Sequence, residues 1–332
     1  MSSTVDLPRA RPESPSPRPI TLPADYSTPD RVFRWTVRIA GFAVLVLLVA
    51  IGVFLFLRGL PALQQAGWHF FTRSGYETLG RHPSFGVLAS LVGTIEVAAV
   101  AILVGAPVAI ATALFLSEYA PQWSRRSLIA MIDLAAAIPS IIFGLWAVFE
   151  LEDNVVGFST WLSRHLAFIP FFKVTTPPLN GSLFIAGLVV GLMIVPIVAS
   201  ICREVFSLAP PGEREAALAL GASRWQMIRS VVIPFGRGGM IGAVMLGLGR
   251  ALEETIAVSI ILAGSFTYGP HILQHGGTTI SQLIAVNFGS GGKLGLADLL
   301  LCGFVLFVLT LVINLIASAI VNRSRSGAGV DL

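Results

Sequence analysis

The 332-residue chain is 55% hydrophobic and only 12% charged, with a mean hydropathy of +0.81. Soluble globular chains carry about 25% charged residues, so this composition excludes an ordinary soluble protein and points to a lipid bilayer. The net charge of +4 is modest and is gathered on no soluble domain, which excludes a nucleic-acid binder.

Residues 1–33 are polar, with prolines at 8, 12, 15, 17, 19, 23 and 29. Such a stretch buries too little apolar surface to fold alone and predicts a disordered tail. It also lacks the basic start and short apolar core of a secretory signal. A bilayer core takes roughly 20 apolar residues per helix. Segments 35–57, 86–116, 127–149, 182–203, 237–262 and 296–320 reach that length. They predict an all-α polytopic membrane protein with six transmembrane helices. The first helix and its outer loop then occupy 34–84, a five-helix core 85–321, and a C-terminal tail 322–332. Pro107, Pro139 and Pro196 predict kinks, which membrane helices tolerate when neighbours re-satisfy the freed backbone groups.

Lys and Arg set the direction of insertion. With the N-terminus inside, Arg125, Arg126, Arg203, Arg214, Arg224, Arg229, Arg237, Arg323 and Arg325 join the basic N-terminal tail on one side. Only Arg58, Arg73, Arg81, Arg164, Lys173 and Lys293 fall on the other. Both termini are therefore expected in the cytoplasm. Arg31, Arg34 and Arg38 beside Trp35 predict an anchor at the inner lipid surface. Gly187/Gly191 and Ala89/Gly93 permit close helix approach. Cys202 and Cys302 lie in apolar runs with no metal-ligand spacing and read as small buried hydrophobes.

The loop at 204–236 is long and patterned as two short helices. Pro210-Pro211-Gly212 stops the fourth span, and EREAALAL (213–220) is a strong helix-forming run. Gly221 supplies a C-terminal stop, Ser223 an N-cap for a second helix through Ile233, and Pro234 its end. In the next span, LGLGRALEETIAVS places Arg250, Glu253 and Glu254 near its middle. A central charge costs roughly 2.5–3.5 kcal/mol on insertion scales, so these side chains face protein or water. Arg250 and Glu254, four apart, can pair. They line a pathway or form an internally neutralised bridge. Glu96 and Asp133 also fall within spans, where each lines a path or bonds a polar group on a packed helix.

The loop segment EAALALGASRWQMIRSVVIP resembles the EAA motif of binding-protein-dependent ABC importer permeases. Glu215, Ala216, Ala217, Gly221 and Pro234 fall in register, with Val231 and Ile233 as conservative replacements. The resemblance implies the type I importer permease architecture, with this loop docking into a cleft of an ATPase subunit. Gly249, Arg250, Ala251, Leu252, Glu254, Thr255, Ile256, Ala257 and Val258 further resemble the phosphate permeases of the PstC type. The segments DLAAAIPSIIFGLWAV and TTISQLIAVNFG do so too. Glu253 departs from that pattern, where Gly is usual. It is either neutralised by desolvation or paired with a cation of a neighbouring subunit.

That likeness implies a translocation subunit, not an enzyme, for inorganic phosphate moving by alternating access. Arg250 and Glu254 would line the anion path with Thr255 in support and Glu253 beside them. A guanidinium engages phosphate through two parallel bonds. A carboxylate accepts the P–OH proton that sulfate lacks. Implied partners are a second, PstA-like permease, two ATPase subunits, an extracytoplasmic phosphate-binding protein and membrane lipid, with no nucleic acid. No cofactor is expected in this chain. Its nearest Gly-rich stretch, Asn287–Leu294, lacks the first Gly and last Ser/Thr of a P-loop, so ATP and Mg would sit in the partner subunits. An importer for another oxyanion remains an alternative. A passive channel has no use for the loop. An intramembrane hydrolase is disfavoured because His69, His82, His165, His271 and His275 all fall in outer loops.

Overall fold

The structure, a computed structural model, describes residues 28–77, 84–174, 179–262, 264–266 and 271–325. The chain divides into two compact units, Met1–Ile51 and Gly52–Leu332. In the first, the expected tail lies outside the described residues up to position 27. Helix α1 (Thr28–Ala66) starts earlier than expected. Pro29 is tolerated in a first turn, and Asp30 there suits the positive end of the helix. Its apolar side chains from Val32 to Val49 are exposed, as lipid contact requires. Arg38 lies over the Trp35 ring at 5.9 Å.

In the second unit, the one-turn α2 (His69–Thr72) leads to strands β1 (Ser74–Glu77) and β2 (Ser84–Val87), paired antiparallel. This small sheet is an addition to the all-helical expectation. Helix α3 (Leu88–Leu114) follows and ends in a π-turn over Phe115–Tyr119. After α4 (Gln122–Ala136), α5 (Ser140–Trp146) and α6 (Glu152–His165) comes α7 (Leu183–Ser207), capped by the Ser182 hydroxyl. Next are α8 (Pro211–Ala219), α9 (Arg224–Met227), a π-turn over Ile228–Val232, and α10 (Ile233–Glu253). Helices α11 (Ile256–Ile261), α12 (Ile280–Asn287) and α13 (Gly292–Arg325) complete the chain.

Among the described residues, five helices are long and apolar enough to cross a membrane. Gln122–Ala136 and Ser140–His165, bent at 89°, pass the same test only when taken together, which gives five spans, or six with the pair counted as one. The bend expected at Pro139 within 127–149 is there, but it is a full break and not a kink in a continuous helix. Pro139 does not kink the helix but ends it. The residue before a proline is pushed out of helical geometry, and Pro139 itself is extended at φ −58, ψ 138. The turn lays α5 against α11: a Cβ on Gly144 would sit 3.0 Å from the Ala257 Cα.

The core is the parallel seam of α3 and α7. Gly187 packs on Val100, Gly191 on Ala101, and Gly105 on the Gly191 carbonyl. Buried Val97, Ala98, Ile185, Val189, Val190 and Ile194 fill the rest. Helix α10 joins α7 through another run of small residues, with Gly236 and Gly239 against Phe206 and Val205, and Gly247 against Val198. A second cluster gathers Phe70, Phe85, Val87, Ile280, Leu283 and Leu301 around the sheet.

A Cβ at Gly105 would lie 2.6 Å from the Gly191 carbonyl oxygen, whereas one at Gly157 meets open space. Gly105→Val should therefore destabilise the purified protein by about 1–3 kcal/mol, and Gly157→Ala should leave its melting temperature equal or higher. Thermal melts in detergent check both.

Candidate functional site

The fifth span carries its charge at a break in the helix. The sequence predicts one helix over 237–262, but α10 stops at Glu253. Glu254 is extended at φ −65, ψ 123, and α11 starts two residues later. Local polar groups compete with the helical ladder there. The Thr255 hydroxyl donates to the Glu253 carbonyl at 3.0 Å, and the Ala257 N–H donates to Glu254 Oε1 at 3.3 Å. The Ser281 hydroxyl, from α12, donates to the Glu254 carbonyl at 2.9 Å. Ser259 donates both its N–H (2.9 Å) and its hydroxyl (2.7 Å) to the Thr255 carbonyl. The carbonyls of Glu253, Glu254 and Thr255 and the N–H of Ala257 are thus paired within the protein, as membrane depth demands.

A cavity of about 560 Å³ opens at this break, lined by Ile197, Met245, Leu246, Gly249, Arg250, Glu253, Glu254 and Asn314. Arg250 and Glu253 are exposed to it, while Glu254 is only 9% exposed. The expected Arg250–Glu254 pair is corrected. Among the described residues no carboxylate lies within 4.0 Å of Arg250. The break removes the helical spacing that would bring Glu254 beneath it, and Glu254 turns one oxygen to the start of α11. Thr255 is not on the cavity wall and serves the break itself. Asp133 accepts a long bond of 3.5 Å from the Ser200 hydroxyl on α7, and Glu96 is half-buried on α3.

The 204–236 loop forms a helical hairpin. α8 begins with Pro211 in its first turn, is capped by Leu220, and is followed by Gly221, whose φ of +83 few other residues adopt. No neighbour crowds Gly221, so conformation alone explains it. Ser223 and Gln226 form a reciprocal capping box at 3.3 and 2.7 Å. The expected stop at Pro234 is corrected, because Arg224–Glu253 runs as one 30-residue helix. Proline lacks an N–H and crowds the carbonyl four residues back. The π-turn over Ile228–Val232 loosens the ladder where that crowding falls. Glu215, Ala216, Gly221 and Pro234 are exposed and Ala217 half-buried. Leu220 (89% exposed) and Trp225 (54%) extend that face with apolar area.

Sequence reasoning did not single out four features. Asn314 is an amide in an otherwise apolar stretch of α13, a signal that was available. Leu220 and Trp225 were equally visible in the loop. Asp298 is 1% exposed in α13 with one oxygen unpartnered among the described residues. Burial pushes the nearby Tyr76 phenol above its ordinary value, and the Asp298 carboxylate adds to that. Glu118 and Arg214 form an ion pair at 3.0 Å across 96 positions, which no local pattern reveals.

A family model described as "Binding-protein-dependent transport system inner membrane component" matches residues 101–326. The phosphate transport system permease protein PstC 2 of Mycobacterium tuberculosis is 39% identical over 302 residues, covering 90% of this chain and 93% of its own. PstC of Xylella fastidiosa is 36% identical over 315 residues, covering 91% and 96%. A chain from the crystal structure of a bacterial ABC transporter involved in the import of the acidic polysaccharide alginate superposes with a TM-score of 0.55. At 18% identity it covers 87% of this chain and 98% of that one, a likeness of fold alone. Fold and site together define an inner-membrane permease subunit with the type I importer architecture. The chain belongs to the binding-protein-dependent transport family, among its permeases of the PstC type.

Because both residues are exposed on the cavity wall, Arg250→Cys and Glu253→Cys should react with a charged thiol reagent. Ala251→Cys, whose position is buried, should not, and native Cys202 and Cys302 are buried too. Labelling rates read by mass spectrometry check this.

Proposed function

We propose that this chain carries inorganic phosphate into the cytoplasm as one of two permease subunits in an ATP-driven importer. One observation carries the reading. The Arg250 cavity sits at one end of an unbroken helix, Arg224–Glu253, whose other end belongs to the loop hairpin. A push on the hairpin therefore moves the cavity wall, which is what coupling between two distant sites requires.

The chemistry of the wall suits the cargo. Arg250 offers a planar fork of donors that stays charged at any working pH. Glu254 keeps an oxygen to accept the P–OH proton of phosphate, and sulfate has no such proton to give. Asn314 adds a neutral group that donates or accepts. Thr255 supports the path by holding the break. Glu253 and Glu254 leave this wall formally negative, so the second, PstA-like permease supplies further cations where the two subunits meet.

Glu215, Ala216, Ala217 and Gly221 form the docking face for an ATPase subunit, and Pro234 sits at the root of the emerging helix. Two ATPases bind the ATP and Mg that this chain does not, and an extracytoplasmic binding protein delivers phosphate. Both termini and the hairpin lie in the cytoplasm, following the Lys and Arg count. Residues 85–321 form the permease core, with 34–84 as an added first span and loop between the terminal tails.

Reconstitution with the second permease, the ATPases and the phosphate-binding protein tests the reading. Phosphate-loaded binding protein should stimulate ATP hydrolysis and import, and sulfate should not. Arg250→Ala should lower import about 10- to 150-fold, the loss expected of one charge-assisted hydrogen bond worth about 1.5–3 kcal/mol. Undiminished phosphate import by a fully assembled Arg250→Ala complex overturns the pathway; import of another oxyanion in its place reassigns the cargo. Leu220→Glu should weaken binding of the ATPase, seen as loss of co-purification, while the permease still inserts in the membrane.

A further inference from the structure

We infer that the hairpin drives the cavity through a second arm, helix α3, seated on the hairpin by the Glu118–Arg214 ion pair; this rests on the permease reading above. Arg214 belongs to α8 and Glu118 to the π-turn that ends α3. Nη1 of Arg214 lies 3.0 Å from Glu118 Oε1 and donates to Oε2 at 3.3 Å. Its Nη2 donates to the Phe206 carbonyl at the end of α7. The carboxylate is 5% exposed and the guanidinium 22%, so the contact is shielded from water far more than a surface pair. A second link falls on the same π-turn: Arg224, at the start of α9, lies over the Tyr119 ring at 5.5 Å. Both halves of the hairpin therefore grip the end of α3.

From there α3 reaches the break. Its seam with α7 is packed backbone to backbone at Gly105 and Gly191, so the two helices move as one body. At the other end, Thr94 Oγ1 accepts the N–H of Ile280, the first residue of α12. The next residue, Ser281, donates to the Glu254 carbonyl. The hairpin thus meets Glu254 by two routes, directly along Arg224–Glu253 and indirectly through Glu118, α3 and α12. One route alone would tilt α10 against a fixed wall. Two routes move both sides of the break together. Glu118 and Arg214 act as positioning residues, since neither touches the cavity.

Removing one charge leaves its partner buried and alone, which destabilises any protein. The decisive variant therefore removes both: Glu118→Gln with Arg214→Met, in the full complex with second permease, ATPases and binding protein. The double variant should keep a near-native melting temperature and ATP turnover while phosphate imported per ATP falls about 2- to 30-fold, the span of measured coupling energies. A purely structural pair predicts that the double variant, once stable, couples as the native complex does, and that result overturns the inference. A readout independent of cargo accompanies it. Spin labels at Glu213→Cys on α8 and Ala111→Cys on α3 should keep their separation when nucleotide binds the native complex and change it in the double variant. Equal behaviour of the two overturns the inference even if the native complex imports no phosphate, an outcome that would count against the cargo assignment alone.

Discussion

Everything distinctive in this chain follows from one constraint: a polar backbone group at membrane depth must find a partner within the protein. Breaking a spanning helix at Glu254 frees carbonyls at the end of α10 and N–H groups at the start of α11. The chain answers with short side chains placed around the gap. Thr255, Ser259 and the Glu254 carboxylate act locally, and Ser281 reaches in from α12. Gln282, the next residue, donates to the Leu262 carbonyl at 3.1 Å and so closes the far end of α11 as well. α12 is therefore the support on which the break rests. Its own start is tied to α3 through Thr94.

Two prolines show how the same residue gives opposite outcomes. Pro139 ends a helix and turns the chain by 89°. Pro234 stands in the first turn of α10, and the helix runs straight through from Arg224. The difference lies upstream. Pro234 is preceded by a π-turn whose wider ladder removes the clash with the carbonyl four residues back. Before Pro139 the last bonds of α4 close at Ala137 and Ile138, and nothing carries the ladder across. Both outcomes serve the break at Glu254. The turn at Pro139 brings α5 behind α11, where Gly144 meets Ala257. Continuity at Pro234 keeps the hairpin and the cavity on one rod.

Much of this was legible in the sequence, and what was hidden has a physical reason. Apolar runs of bilayer length located the spans, and the Gly221 turn and Ser223 cap could be read from residues adjacent in the chain. Arg250, Glu253 and Glu254 stood out because charge is costly in an apolar run. The break beside them did not, since Glu-Glu-Thr-Ile contains neither Gly nor Pro. Part of what holds it, the Ser281 hydroxyl on the Glu254 carbonyl, comes from 27 positions away. The Glu118–Arg214 pair spans 96 positions. In sequence, Glu118 follows an apolar run and Arg214 counts only toward topology. Local pattern shows what a segment can do alone, and these contacts exist only once segments meet.

The charge around the cavity then bears on how tightly a permease of this kind should hold an anion. Arg250 is one cation facing two carboxylates, at the carbonyl end of α10, where the helix dipole adds partial negative charge. A site built for strong anion capture would surround the ligand with donors and exclude such groups. This wall instead offers one strong fork and counters it, so on the proposed reading an anion is recognised but not retained. Weak holding suits a conduit, because a subunit that bound its cargo tightly would spend its conformational energy on release. Selectivity then rests on which anion can turn the opposing carboxylate from a repulsion into a hydrogen bond. On that reading only an oxyanion that still carries a proton does so, and Glu254, beside the more obvious Arg250, would be the residue on which discrimination turns.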